Sequence, residues 1–413
     1  MFNLNVFIIL FLGFIDYFGI GLVYPIFGVM LFDPADPIIA AEASSTYRGA
    51  ILGILMGLTP LSAFLFAPFL GSFSDSEGRK KTLLFGMAAG TLGYILAIVG
   101  IVYHSLSLLF IFRILVGITE GSAAVAQAAL ADISTESNKA RRFSLFSSSA
   151  GLGFTIGPFI GGKLGDPGMN FGIGYVTPFI LAGILCLVNS FMVWAVFPES
   201  RNEKKRLSFN FSSSLRSLGK VFTWSHLIWL FATCFCLSFA WSFFNEFMPV
   251  MLRANFLFSL NEVGNYFAWG GIWYSVSSGL FTAPLLRRFT PEKLLMAALG
   301  GSAATMMFFS KIEESEYIWM TLPVLMFFLS LAFPTLMSLV SNRAHADNQG
   351  EVLGVFHSVQ GCAMGLSPIL GGALIGTFPA LVGWGGGWMM FLGCFALWIG
   401  CKKSSALTLE KVE

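Results

Sequence analysis

Charge is what this sequence has least of. Asp, Glu, Lys and Arg together make up 11% of its 413 residues, where a soluble domain carries about 25%. That shortfall excludes an ordinary cytosolic enzyme and a disordered regulator, and a formal net charge of only +2 excludes a polyanionic partner such as nucleic acid. Histidine is scarcer still: His104, His226, His345 and His357 stand apart, without clustered carboxylates. The nucleophile–base or metal cluster of a membrane-embedded enzyme is therefore missing. The six cysteines (Cys186, Cys234, Cys236, Cys362, Cys394, Cys401) lie in or beside apolar runs. Cys234 and Cys236 have no second Cys/His pair, so all six read as small buried hydrophobes, and no metal is expected. No G-x-x-x-x-G-K-[ST] stretch exists to cradle ATP, and no cofactor is expected. Met1-Phe2-Asn3-Leu4-Asn5 has no Lys or Arg, so the basic start of a secretory signal is lacking and the first apolar segment is expected to remain as a span.

What fills the space is apolar. Hydrophobic types reach 56%, mean hydropathy is +0.77, and 45 Phe, 10 Trp and 9 Tyr accompany 45 Gly. Aromatic side chains suit lipid and its interfaces, and glycine suits close helix contact in lipid. The composition is that of an all-α, multi-pass membrane protein.

A helix needs about 20 mostly apolar residues to cross the hydrocarbon. Such runs fall at 6–30, 48–70, 82–101, 106–131, 143–165 and 175–197, then at 225–251, 262–286, 293–310, 317–341, 351–376 and 379–401. Twelve spans are expected, as an N-terminal six-helix bundle over 1–197, a linker at 198–224, a C-terminal six-helix bundle over 225–401 and a tail at 402–413. Every loop is too short for a soluble catalytic domain. Nineteen of the 24 basic residues fall in one set of loops, among them Arg79, Lys80, Lys81, Lys139, Arg141, Arg142, Arg201, Lys204, Lys205 and Arg206. Arg48, Lys163, Arg253 and Lys311 fall on the other side, and Arg113 lies inside a span. Positive charge marks the cytoplasmic side, so both termini, the linker and the tail are expected there. The Ser- and Phe-rich linker suggests a short interfacial helix.

The halves are also related. Gly157-Pro158-Phe159-Ile160-Gly161-Gly162 recurs as Ser367-Pro368-Ile369-Leu370-Gly371-Gly372, an offset of 210 residues. Parallel repeats of this length are a transporter's architecture.

Four features carry chemistry. In the loop after the second span, Gly71, Asp75, Gly78, Arg79 and Lys80 stand in a fixed order. Gly71 suits a close helix approach, Gly78 a turn of positive φ, and Asp75 a helix start or a guanidinium. In the fifth span, Gly153, Gly157 and Gly161 share one face at i, i+4, i+8; Gly162 adjoins them, and Pro158 should bend the helix. Asp16 in the first span is an ionisable group in hydrocarbon, able to take a proton from one side and release it to the other, or else paired with a hydroxyl or Arg. In the fourth span, Arg113, Glu120 and Gln127 recur every seven residues, about two full turns, and form one polar stripe facing a cavity or a buried network. The second half offers less. Asn245 and Glu246 suit either a cavity or a solvated helix end, and His357 with Gln360 either a relay or helix packing. Trp241, Trp269, Trp273 and Tyr274 suit a stacked ligand or an aromatic belt.

The order G-x-x-[SA]-D-x-x-G-R-[RK] at 71–80 resembles the signature loop of the major facilitator superfamily, with Phe73 where Leu is usual and Ser76 where a basic residue is usual. The Gly153–Gly162 segment resembles the signature of its drug/proton antiporters. With Asp16-x-x-Gly19-Ile20-Gly21-Leu22-x-x-Pro25, Arg113-x-x-x-Gly117-Ile118-Thr119, Ala131-Asp132-Ile133, Arg141-Arg142-Phe143 and Gln349-Gly350-Glu351, the chain is most similar to the tetracycline/proton antiporters. The resemblance implies the facilitator fold and places Asp16 at the substrate or proton site, Asp75 and Arg79 at a cytoplasmic gate, and Arg113 in a proton-linked network. Tetracycline exporters carry acids in the third and ninth spans. Here Gly93-Tyr94 stands in the third, the ninth has none, and Glu120 is an extra acid, which argues against tetracycline itself as cargo. The expectation is a proton-driven exporter of small amphiphilic molecules in a bacterial-type inner membrane. It would work as a monomer with small molecule, proton and lipid as partners. A proton-coupled uptake symporter for a small metabolite, sugar, peptide or siderophore is the alternative.

Overall fold

A computed structural model describes residues 4–33, 36–169, 173–199, 213–224, 226–344 and 348–409. The described residues contain helices and no strand. They are α1 (Leu4–Met30), α2 (Ser45–Glu77), α3 (Arg79–Val102), α4 (Leu106–Gly121), α5 (Ala123–Asp132), α6 (Glu136–Gly165), α7 (Val176–Val196), α8 (Ser213–Gly219), α9 (Ile228–Phe256), α10 (Leu260–Ser277), α11 (Ala283–Arg288), α12 (Pro291–Phe309), α13 (Ser315–Arg343), α14 (Gln349–Thr377) and α15 (Leu381–Leu409). Among the described residues ten stretches are long and apolar enough to cross a membrane, α4 and α5 counting together as Leu106–Asp132. The expected eighth span is α10 and α11 joined by a π turn, Ser278–Thr282, and the expected ninth is α12. The described residues of the linker include α8 and a 3-10 turn, Lys220–Phe222. Residues 1–3, Arg201, Lys204, Lys205, Arg206, His345 and Lys411 lie outside the described residues.

The chain divides into two compact units, Met1–Phe211 with Leu257–Ala268, and Ser212–Phe256 with Trp269–Glu413. In the first, α1 packs on α6 and α7, α3 on α4 and α7, and α2 on α4. In the second, α9 packs on α14 and α15, and α12 on α13 and α15. Four of these five pairings recur in the second unit in the same chain order, in keeping with the 210-residue repeat. Lipid explains the outer faces. Ile184, Leu187, Val188, Phe191 and Trp194 are all exposed along one side of α7, and Trp388, Phe391, Leu392, Phe395 and Trp398 along α15. Stripes of that size are liabilities in water and the normal surface in a bilayer.

Backbone contact, more than side-chain interdigitation, joins α1 to α6. A Cβ at Gly157 would stand 2.7 Å from the Phe18 carbonyl oxygen and 2.9 Å from Gly21 Cα, and one at Gly153 2.8 Å from Phe18 N. One at Gly161 would collide with the Leu22 carbonyl. Pro158 leaves α6 continuous, and its Cδ sits against Gly21. Gly162 faces elsewhere, toward Leu260 and Gly264 at the start of α10. There Asp166, at the end of α6, accepts from Asn261 N at 2.9 Å. In the second unit Ser367 takes the place of Gly157 and uses its hydroxyl, donating to the Phe239 carbonyl at 2.9 Å.

The α1–α2 loop is organised by Arg48, which is buried. Its guanidinium donates to the carbonyls of Leu31 at 2.6 Å, Ala40 at 3.0 Å and Ala43 at 3.4 Å. In that loop, burial pushes the Asp36 carboxyl up against the opposing pull of the Ile38 amide.

Gly157→Leu should therefore lower stability by about 3 kcal/mol or more, because backbone on both sides leaves nothing to yield. Gly151→Ala, on the same helix but facing open space, should gain about 0.5–1 kcal/mol from helix propensity. Thermal unfolding in detergent of both variants checks the contrast.

Candidate functional site

Five helices of the first unit converge on one cavity. α1 supplies Asp16 and Tyr17, α3 Tyr94, α4 Thr119 and Glu120, and α7 Cys186; five apolar side chains, Ala123 of α5 among them, complete the lining. Two acids thus share a wall to which no Lys, Arg or His contributes. Asp16 and Glu120 are both half-buried, and neither makes a hydrogen bond or ion pair to a described residue. The free space is about 20 Å³, enough for one water-sized group and too little for an organic cargo. Thr119 spends its proton elsewhere, on the Gly86 carbonyl at 2.8 Å, and the Cys186 thiol lies 3.3 Å from the Met87 carbonyl. Tyr94 is 6% exposed, and its phenol oxygen lies 2.7 Å from the point a Cβ on Gly19 would occupy. Only glycine at 19 lets that hydroxyl reach α1 beside Asp16.

Arg113, Glu120 and Gln127, expected as one stripe, meet different surroundings. Arg113 is 4% exposed and turns to α2, donating from Nε to the Leu55 carbonyl at 2.9 Å and from Nη2 to the Met56 carbonyl at 3.3 Å. Its guanidinium also lies over the Phe27 ring, 5.8 Å from the centroid. Glu120 alone of the three lines the cavity. Gln127 is exposed. The physical reason is a helix break: Ser122 separates α4 from α5, its hydroxyl donating to the Thr119 carbonyl at 2.6 Å. A seven-residue period assumes one straight helix, which ends before Gln127. Sequence reasoning also left Tyr17, Thr119 and Cys186 out of the site. Each sits within one turn of a noted acid or on a facing helix, and the facing helix is not a local signal.

The loop between α2 and α3 is a charged knot. Arg79, 8% exposed, donates to Asp75 Oδ1 at 3.1 Å, Ser74 Oγ at 2.9 Å and, across to the end of α5, Asp132 Oδ2 at 3.1 Å. Gly78 has φ 110°, a conformation that strains any other residue. In the space a Cβ there would need lies the Glu199 carboxylate, which accepts from Arg79 N at 2.8 Å and Lys80 N at 3.2 Å. Glu199 thus caps α3 from 120 residues away, a role that nothing in its own neighbourhood announces. A Cβ on Gly71 would meet no described atom within 4 Å.

The second unit's candidates stand on α9, α10 and α14. Asn245 is buried and Glu246 half-buried on α9. His357 is exposed, with Nδ1 3.3 Å from Gln360 Oε1 on its own helix. Trp269 packs edge-on against Trp273 and donates to the Trp319 carbonyl at 3.0 Å. No cluster of His, Cys, Asp and Glu fit to hold a metal occurs among the described residues.

Comparison with known proteins agrees with this architecture. The family model described as Major Facilitator Superfamily matches residues 6–368. The chain is 28% identical over 350 residues to the tetracycline resistance protein, class C, of Escherichia coli, covering 82% of each. It is 24% identical over 373 residues to the quinolone resistance protein NorA of Staphylococcus aureus (strain COL), covering 90% of each. A D-xylose–proton symporter structure matches 95% of this chain and 96% of its own with a TM-score of 0.72; at 14% identity that speaks for the fold alone. From its helical fold and a family match over most of its length, the chain belongs to the major facilitator superfamily and is a multi-pass membrane transporter, not an enzyme.

Proposed function

We propose that this transporter is a proton-coupled exporter of small amphiphilic, drug-like molecules. The observation that carries the reading is the meeting of Asp16 and Glu120, from α1 and α4, in one cavity with no basic residue on its wall. Two carboxylates in low dielectric, neither hydrogen-bonded to a basic side chain, are the natural place to gain and lose protons. Export is favoured by the relatives, whose names record resistance to tetracycline and quinolone. The glycine strip of α6 also belongs to the antiporter signature that the sequence resembles.

In this reading twelve spans form two pseudo-symmetric six-helix bundles, 1–197 and 225–401. The stretch α10–α11 serves as the eighth span and α12 as the ninth. Both termini face the cytoplasm of a bacterial-type inner membrane, and the monomer is the working unit. Alternating access exposes the cavity to each side in turn. Protons entering from outside neutralise the acids and release cargo; their loss to the cytoplasm restores the binding state. Arg79, Asp75, Asp132 and the cap of Glu199 on Gly78–Lys80 latch the cytoplasmic ends of α2, α3 and α5. Arg113, held by the α2 carbonyls, braces α4 at the proton site.

The sign of proton movement on adding substrate to loaded vesicles tests direction: counterflow of protons marks an antiporter, and co-entry would make the chain the uptake symporter instead. Asp16→Asn should abolish proton-driven efflux at unchanged expression, and efflux equal to wild type would remove Asp16 from the mechanism. For the latch, a double-mutant cycle of Arg79→Lys with Asp132→Asn should show coupling of about 1 kcal/mol in thermal unfolding. Lysine keeps the charge but cannot reach both carboxylates with one planar fork.

A further inference from the structure

We infer that protons leave the Asp16–Glu120 cavity along the seam between α3 and α7. Asn189 is the positioning residue that holds water there, and Val193 and Phe197 form a hydrophobic plug beyond it. This rests on the reading of those acids as the coupling site and adds the route and its gate.

Asn189 is the residue that needs a role. It is 1% exposed on α7, and neither its amide nitrogen nor its amide oxygen hydrogen-bonds to a described residue. An amide brings two donors and an acceptor, and leaving them unmet in a buried place is costly. Leucine would fill similar space without that cost. A small polar species resolves the conflict, and water is the one at hand. The neighbouring cavity has about 20 Å³ of free space, room for one water.

The register of the two helices says where such water leads. A Cβ on Gly183 would stand 3.3 Å from Tyr94 Cβ, and the Cys186 thiol lies 3.3 Å from the Met87 carbonyl. The helices α3 and α7 therefore run side by side in opposite directions. Tyr94 and Cys186 both line the cavity. Asn189 lies on the same face of α7 as Cys186, one turn or about 4.5 Å farther along. That direction leads to the end where Glu199 accepts from Arg79 N at 2.8 Å, the cytoplasmic end in the proposed orientation. The Thr91 hydroxyl, beside Cys186, is buried in the same seam. Past Asn189 the face turns apolar. Val193 and Phe197 continue it at steps of four, both fully buried, about 6 and 12 Å beyond. Two such side chains in series exclude water, and a dry constriction is a barrier to protons.

The titratable groups at the start of the route are Asp16, Tyr17, Tyr94, Glu120 and Cys186 on the cavity wall, and Arg113 acts on Glu120 through space. The step is a proton hop. A carboxyl O–H bond breaks, a water takes that proton, and a proton of that water passes to the one held by Asn189. Nothing is oxidised or reduced. With the plug shut the hop stops there, so the cavity cannot join the two sides of the membrane at once. Movement of α7 against α3 during the cycle wets the plug and completes the release.

The test uses purified full-length protein in liposomes that enclose a pH-indicator dye, with potassium and valinomycin to clamp the membrane potential and no substrate added. Wild type sets the baseline for proton entry after an imposed pH step. Val193→Ser, which wets the plug, should raise that leak about tenfold or more, and Asn189→Leu added to it should restore the baseline. Asn189→Ser, which keeps a group that holds water, should preserve the leak. Should Val193→Ser fail to fold, infrared spectroscopy reads the route without it. On transfer to heavy water, exchange of the protonated carboxyl band should slow about tenfold in Asn189→Leu and stay fast in Asn189→Ser. A Val193→Ser leak equal to wild type, a leak that survives Asn189→Leu, or carboxyl exchange indifferent to Asn189→Leu overturns the inference. So does an Asn189→Leu protein altered only in thermal unfolding, which marks a packing role. If the leak needs Asn189 but persists with both Asp16→Asn and Glu120→Gln, the seam conducts and the reading of the acids falls. If it stops with those two substitutions yet ignores Asn189→Leu, the acids stand and the seam falls.

Discussion

A charge taken out of water must find partners, neutralise or line a path for something that does, and the first unit is arranged around that constraint. Its three buried guanidinium groups meet the demand locally. Arg48 gathers three loop carbonyls, Arg113 reaches two carbonyls of α2, and Arg79 bridges Asp75 and Asp132. Arg113 acts on Glu120 through space without hydrogen-bonding to it. In the proposed function Asp16 and Glu120 exchange protons with the medium, which a direct Arg113–Glu120 ion pair would oppose.

The second constraint is that helices in lipid gain nothing from hiding apolar surface from one another and must win their contacts by close packing. The α1–α6 seam does so with glycine, bringing Gly157 to Phe18 and Gly21, and Gly161 to Leu22, at backbone distance. The repeat solves the same problem differently. Ala363, Ser367 and Gly371 replace the glycines of the first half, and a serine hydroxyl bonds to the Phe239 carbonyl across the seam. The first unit therefore joins these helices through bare backbone, and the second adds a side-chain hydrogen bond. Gly162, on the other side of α6, gives α10 a close approach of its own at Gly264.

Legibility followed range along the chain. Apolar runs of membrane length are local, and so are the glycines at 153, 157 and 161, whose spacing places them on one side of any helix. The signature at 71–80 is local too, and it marks a knot whose other members, Asp132 and Glu199, come from elsewhere. Where the reading went astray, a local assumption had failed. The seven-residue stripe of the fourth span treated 106–131 as one uninterrupted helix, whereas a turn at Ser122 divides it into α4 and α5.

By itself, then, the sequence determined the helical membrane class, the apolar stretches, the internal repeat and the family, because length, hydropathy and motif order are properties of neighbouring residues. Only the tertiary structure decided which acids share a cavity, where Arg113 spends its donors, why position 19 must be glycine and what caps α3. Those depend on which helix stands opposite which, and the bilayer leaves that choice to packing and to the partners that buried charge can find.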